Sequence, residues 1–199
     1  MKVPGVEDIR AQFHTRARLM DAAEAVAPAV AAAARELIRC LEAGGTVFAC
    51  GNGGSATQST HFVAELVGRF KRERNPFRAY SLNENTATLT AVPNDYEFAD
   101  VFARQVRGLA RAGDVLLAIS TSGKSINVAR ACNVAREQGA RVIALTGAAG
   151  GPVAEAADVA VCVPDGDTPC VQEVHLVVIH LLCGIVEDAM AGDPGGRTP

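Results

Sequence analysis

The chain has 199 residues, 49% of them apolar and only 5% aromatic, so it can bury a single-domain core, and that core must be built from small aliphatic side chains. A formal net charge of −3, with no basic block beyond a short KRER run at 71–74 that reads as a solvated loop, argues against nucleic acid or a charged membrane surface as partner. Six cysteines (Cys40, Cys50, Cys132, Cys162, Cys170 and Cys183) form no CxxC pair, which predicts reduced core thiols in a cytoplasmic protein. No charged-then-apolar leader is present and no apolar run comes near the length of a membrane span.

In chain order, residues 6–42 are alanine-rich and helical in period. Ile9, Phe13, Ala17 and Met20 recur at spacings of three and four, and Pro28 is expected to divide the stretch into two helices. That apolar stripe must be buried against the chain's own core or against a partner subunit. Residues 46–69 then read TVFACGNGGSATQSTHFVAELVGR: a buried strand ending at Cys50, a turn containing Gly51, Gly53 and Gly54, and a helix starting at Ser55. Such a turn aims free backbone N–H groups and the positive end of a helix dipole above the strand, where an anion or a sugar oxygen can sit. His61 and Glu65 are four apart and share a helical face, as either a surface ion pair or a pair of functional groups. The glycine turn is no P-loop and no dinucleotide fingerprint.

Residues 77–82 predict a second strand, followed by a short helix closed by Pro93, which leaves Asn94 and Asp95 in a turn. A helix over 101–109 leads to a third strand at 114–119, apolar almost throughout, as a central parallel strand should be. At its carboxyl end stand Ser120, Thr121, Ser122, Gly123, Lys124 and Ser125, ahead of a helix over 125–138. Four hydroxyls in six residues exceed the needs of one helix cap, and they predict a phosphate site. Strands at 141–146 and 159–163 are joined by a loop with Gly147, Gly150, Gly151 and Pro152. Strands alternating with helices predict an α/β fold: a doubly wound, five-stranded parallel sheet flanked by helices, with ligands at the strand carboxyl ends. Thr168 is expected to cap a last helix with Pro169 in its first turn, running to about residue 190 and ended by Gly192 and Pro194. It carries Gln172, Glu173, His175 and His180. His175 reads as a core residue, whereas Gln172 and His180 lie eight residues apart, about 12 Å of axial rise. If both serve one chemistry, neighbouring chains must share the site. The expected divisions are 1–43, N-terminal helices for oligomerisation; 44–192, the α/β domain; and 193–199, a loose tail.

The segments CGNGGSATQSTHFVAELVGRF, NDYEFADVFARQV, ISTSGKS and VQEVHLVVIHLLC resemble those of the phosphoheptose isomerases, sugar isomerase (SIS) domain enzymes that interconvert sedoheptulose 7-phosphate and a heptose 7-phosphate. The resemblance implies a homotetramer with active sites between subunits and one zinc ion per subunit. By matching motif, Asn52, Gly53, Gly54 and Ser55 would hold the sugar, Asn94 and Asp95 would touch substrate, and Ser120, Thr121, Ser122 and Ser125 would bind phosphate. His61, Glu65, Gln172 and His180 would be the metal ligands. The chain departs from the family pattern with Thr57, Gln58, Ser59 and Thr60 before His61, with Lys124 in the place of an asparagine, and with Cys170 where an arginine is common. Aldose–ketose isomerisation needs a base beside the carbonyl and a group to manage protons on two oxygens, roles that fall to Glu65 and His180. The alternatives are a non-catalytic sugar-phosphate sensor or adaptor built on the same domain, and an isomerase of another sugar phosphate.

Overall fold

The computed structural model describes residues 5–190, so the expected tail at 193–199 and the expected helix stop at Gly192 and Pro194 lie outside the described residues. Five strands, β1 (Val47–Gly51), β2 (Ala79–Ser81), β3 (Val115–Ser120), β4 (Arg141–Gly147) and β5 (Val159–Val163), form one parallel sheet in the order β2-β1-β3-β4-β5. The helices are α1 (Val6–Ala23), α2 (Ala27–Glu42), α3 (Gly54–Val67), α4 (Thr86–Asp95), α5 (Ala103–Leu109), α6 (Ile126–Glu137), α7 (Gly151–Glu155) and α8 (Thr168–Met190). Pro28 stands in the first turn of α2, where its missing N–H costs nothing, and a short 3₁₀ turn over Glu24–Val26 separates that helix from α1.

Strand β3 explains its own sequence. Successive side chains point to opposite faces, so Val115, Leu117 and Ile119 join the core under α2, α3 and α8, while Leu116 and Ala118 join the core under α5 and α6. With both faces covered, a continuous apolar run is what the strand requires. The chain leaves β1 toward β2 on one side and continues through β3, β4 and β5 on the other. The carboxyl ends of β1 and β3 are therefore adjacent at the point where the winding reverses, with Gly51 in register with Ile119.

Three expectations change. Pro93 lies inside α4 and does not close it, because the amide of Tyr96 still reaches the Val92 carbonyl at 2.9 Å across the proline; Asn94 and Asp95 are accordingly the last residues of that helix and not a turn. The 71–74 run is not simply a solvated loop, since the Arg74 side chain is 5% exposed and pairs with Glu187, itself 2% exposed. Finally, an 18-residue window of α8 reaches a mean hydropathy of 1.7, enough by length and composition to cross a membrane, although half of that window is buried inside the protein. Its apolarity follows from packing against α2, α3 and the sheet. The six thiols are all free.

His175 is the core residue expected. It is fully buried, its Nε2 lies 3.1 Å from the Thr146 carbonyl, and burial pulls its pKa down from the ordinary value to about 4. Below pH 6.5 the unfolded chain therefore binds a proton that the folded chain refuses, so stability falls as pH drops toward about 4. The contribution is on the order of 3 kcal/mol. Urea denaturation of the parent at pH 7 and pH 4.5 is expected to show this loss, and a His175→Gln variant should show a distinctly smaller pH dependence.

Candidate active site

The glycine turn after β1 is held from several sides. Asn83 accepts from the amide of Gly51 at 3.1 Å and donates to its carbonyl at 2.9 Å, while Ser59 donates to the same Asn83 oxygen at 2.8 Å. Gly54 faces Gln172 so closely that a Cβ there would lie 2.5 Å from the Gln172 amide nitrogen, so a larger residue at 54 would have to displace that side chain. Asn52 and Asn127 exchange two side-chain hydrogen bonds, at 2.8 and 2.9 Å. This pair ties the glycine turn to the first turn of α6 and commits the Asn52 side-chain amide to the scaffold.

Beside this turn, at the end of β3, the Ser120 and Ser125 hydroxyls are 2.9 Å apart and face a common space. The two loops enclose a cavity of about 310 Å³ lined by Asn52, Gly53, Gly54, Ser55, Ile119, Ser120, Thr121, Ser125, Thr168 and Gln172. It is open to solvent, polar in its donors and placed at the reversal of the sheet, as a sugar-phosphate site should be. Eight residues expected at the site are thus together, with Ile119 and Thr168 added. Ser122, Asn94 and Asp95 are not among the lining residues: Ser122 is exposed and accepts from the Lys124 amide at 3.2 Å, and Asn94 and Asp95 are exposed at the end of α4, hydrogen-bonded to each other at 2.8 Å.

The acid–base candidates form a second cluster further along α3 and α8. His61 Nε2 lies 3.0 Å from Glu65 Oε1, and the His61 ring meets the His180 ring edge-on with centroids 5.1 Å apart. Phe70, which sequence reasoning passed over, stacks on the other side of His180 at 5.7 Å. Glu65, His61 and His180 therefore belong to one protomer. The eight-residue gap separates Gln172, at the glycine turn, from His180, beside His61. As a zinc site the cluster is chemically suitable: imidazole nitrogens and a carboxylate are acceptable donors, and two ligands of one tetrahedral ion lie about 3.4 Å apart, close to the His61–Glu65 spacing. Among the described residues no group of three His, Cys, Asp or Glu side chains is already gathered as a metal site, and Gln172 of the same chain stands elsewhere.

The family profile described as the SIS domain matches residues 13–147. Among curated proteins, the phosphoheptose isomerase of Rhodospirillum rubrum is 50% identical over 184 residues, covering 92% of this chain and 98% of that protein. The chain belongs to the SIS-domain family, among the phosphoheptose isomerases. Two solved structures agree. A phosphoheptose isomerase from Neisseria gonorrhoeae superposes with a TM-score of 0.86 at 41% identity, covering 92% of this chain and 98% of that one. Another from Francisella tularensis gives 0.89 at 37% identity, covering 94% and 100%. These matches span more than nine-tenths of this chain and nearly the whole of each relative.

Proposed function

We propose that this protein is an aldose–ketose isomerase interconverting sedoheptulose 7-phosphate and D-glycero-D-manno-heptose 7-phosphate through an enediolate. The observation that carries the reading is the pairing of a hydroxyl-lined cavity at the sheet reversal with a His61–Glu65–His180 cluster in a chain half identical to a phosphoheptose isomerase. The phosphate is held by Ser120, Thr121 and Ser125, with Ser122 able to join from the exposed side of the loop, and the sugar by the amides of residues 52–55 and by Gln172. Glu65 removes the proton at C1 of the ketose while His180 supplies one to the oxygen at C2. The proton then returns to C2 and the O1 hydroxyl gives up its own as the aldehyde forms, so the sugar is isomerised with no net gain or loss. Incubation of the protein with sedoheptulose 7-phosphate, followed by NMR, should show the aldose resonances growing in; their absence with active-site residues intact would favour a sugar-phosphate sensor or another substrate.

We further propose a homotetramer whose active sites lie between subunits. On α3, Glu65 is eleven residues beyond Gly54, about 16 Å of axial rise, so one protomer keeps its sugar cradle and its acid–base cluster well apart. A second copy can lay its own cluster over the cradle. Apolar side chains are available for such contacts: Ile9 and Phe13 on α1 are 52% and 72% exposed, and Val177, Leu181 and Ile185 form an exposed stripe on α8. Sites assembled this way make a mixing test. Chains carrying both Ser120→Ala and Ser125→Ala should recover part of the lost activity when exchanged with Glu65→Gln chains, because a hybrid site can pair an intact loop with an intact cluster. Glu65→Gln and His180→Gln chains should not rescue one another, since both residues come from the same protomer. The opposite pattern, with subunit exchange demonstrated, would refute the arrangement.

His61, Glu65 and His180 of one subunit, with Gln172 of its neighbour, would hold one zinc ion per subunit. When bound, the ion would polarise the sugar oxygens and stabilise negative charge on them. A chelator is expected to lower turnover and added zinc to restore it. The free thiols fit a cytoplasmic location.

A further inference from the structure

The buried pair Glu187–Arg74 has more partners than an ion pair needs. Glu187, on α8 two turns beyond His180, accepts from the backbone amides of Phe70, Lys71 and Arg72 at 3.1, 2.8 and 2.9 Å and from Arg74 Nε at 3.1 Å. The guanidinium, stacked 3.9 Å over the Phe77 ring, passes the contact on. Its Nη2 donates to the Glu65 carbonyl at 2.7 Å and its Nη1 to the carbonyls of Leu66 at 2.9 Å and Gly68 at 3.3 Å. The Glu65 and Leu66 carbonyls lie in the last turn of α3, at the negative end of its dipole, and a buried cation there is well placed. Burial alone would raise the Glu187 pKa, but the three amides and Arg74 outweigh it and hold the carboxyl below its ordinary value, so it is charged at neutral pH. One carboxylate therefore fixes two things at once. Through Arg74 it pins the backbone of Glu65, and through the Phe70 amide it sets the ring that stacks on His180.

We propose that Glu187 and Arg74 are positioning residues for the isomerisation: they hold Glu65 and, by way of Phe70, His180 at the spacing the proton transfers need. The proposal rests on the catalytic reading of Glu65 and His180 given above. A buried ion pair usually has only a structural account, in which its loss lowers the melting temperature and nothing else. The two accounts separate in variants that keep the fold. Arg74→Lys retains the charge facing Glu187 but cannot reach the same set of carbonyls, and Phe70→Leu retains an apolar side chain but not the stack on His180. A displacement of about 1 Å in an acid–base pair costs up to about 10²-fold in rate, so each variant should lose about tenfold or more in kcat, with KM within about twofold of the parent.

The experiment measures kcat and KM on sedoheptulose 7-phosphate well below the melting temperature of each variant, and records the ¹H–¹⁵N signals of the histidine rings on the same samples. Falling kcat at steady KM in either variant, together with moved ring signals of His61 and His180 in Arg74→Lys, supports the proposal; Phe70→Leu is judged on its kinetics, because removing a stacked ring shifts the His180 signal by itself. Parent-like kcat in both variants with parent-like ring signals in Arg74→Lys, whatever the melting temperature, overturns it. Should the parent not turn over this sugar, the proposed function fails on its own, and the Arg74→Lys ring signals still decide the positioning: unmoved signals there reject it. If Arg74→Lys does not fold, Phe70→Leu carries the kinetic readout.

Discussion

Replacing Glu65 by glutamine, or His180 by glutamine, is expected to lower turnover of sedoheptulose 7-phosphate by at least about 10²-fold while leaving a folded protein. General acid–base groups contribute about 10²–10⁴-fold, and amide side chains of nearly the same size cannot exchange the proton. The fold should survive because neither side chain is part of the core: Glu65 is 24% exposed and His180 is half-buried, in contact with the rings of His61 and Phe70. Glutamine at 65 can still hydrogen-bond to His61 Nε2, now 3.0 Å from the carboxylate, so the cluster need not collapse. KM should change little, since phosphate and sugar are gripped by the loops after β1 and β3. Rates within a few-fold of the parent in either variant would remove that residue from the chemistry. Zinc content, read on the same samples, separates loss of a proton carrier from loss of a ligand.

Most of the sheet could be read from sequence because its physical demand is one-dimensional. A strand covered on both faces must be apolar in every position, and β3, β4 and β5 stand in the sequence almost where they stand in the fold. The glycine turn and the hydroxyl loop were legible for a similar reason, since close backbone approach demands glycine and anion binding demands donors. What sequence did not disclose depends on pairing between distant segments. Asn52 and Asn127 are 75 residues apart, and nothing in either neighbourhood marks them as partners. Glu187 and Arg74 are 113 apart, and a charged run at 71–74 looks like any solvated loop until a carboxylate on another helix is found beneath it. Pro93 misled in the opposite way. A proline usually ends a helix because it removes one backbone hydrogen bond, but here the Tyr96 amide still reaches the Val92 carbonyl, and α4 carries Asn94 and Asp95 past the proline, out on the exposed surface. The eight-residue gap between Gln172 and His180 was informative, and the structure puts the division between the glycine turn and the histidine cluster.

The second large effect is expected at Gly123, in the middle of the phosphate loop. Its φ is +66°, in the left-handed region, where a side chain costs about 1–2 kcal/mol. The greater obstacle is space: a Cβ would stand 1.8 Å from the carbonyl oxygen of Gly150, a backbone atom that cannot rotate away. Nor can the loop yield freely, because the Gly123 amide is bonded to the Ser120 carbonyl at 3.0 Å and its own carbonyl accepts from Val153 at 3.1 Å. Gly123→Ala must therefore push the Ser120–Ser125 turn away from the loop that follows β4, moving the hydroxyls that face the cavity. Losing the geometry of two hydrogen bonds to a charged phosphate, each worth about 1.5–3 kcal/mol, should raise KM by about 10²-fold or more. Gly44→Ala supplies the comparison. Its φ is +74°, but nothing lies within 4 Å of the added Cβ and it is remote from the cavity, so only the conformational cost should appear and KM should stay at the parent value. Denaturation midpoints and KM measured for both variants test the argument, and it fails if Gly123→Ala is no more damaging than Gly44→Ala.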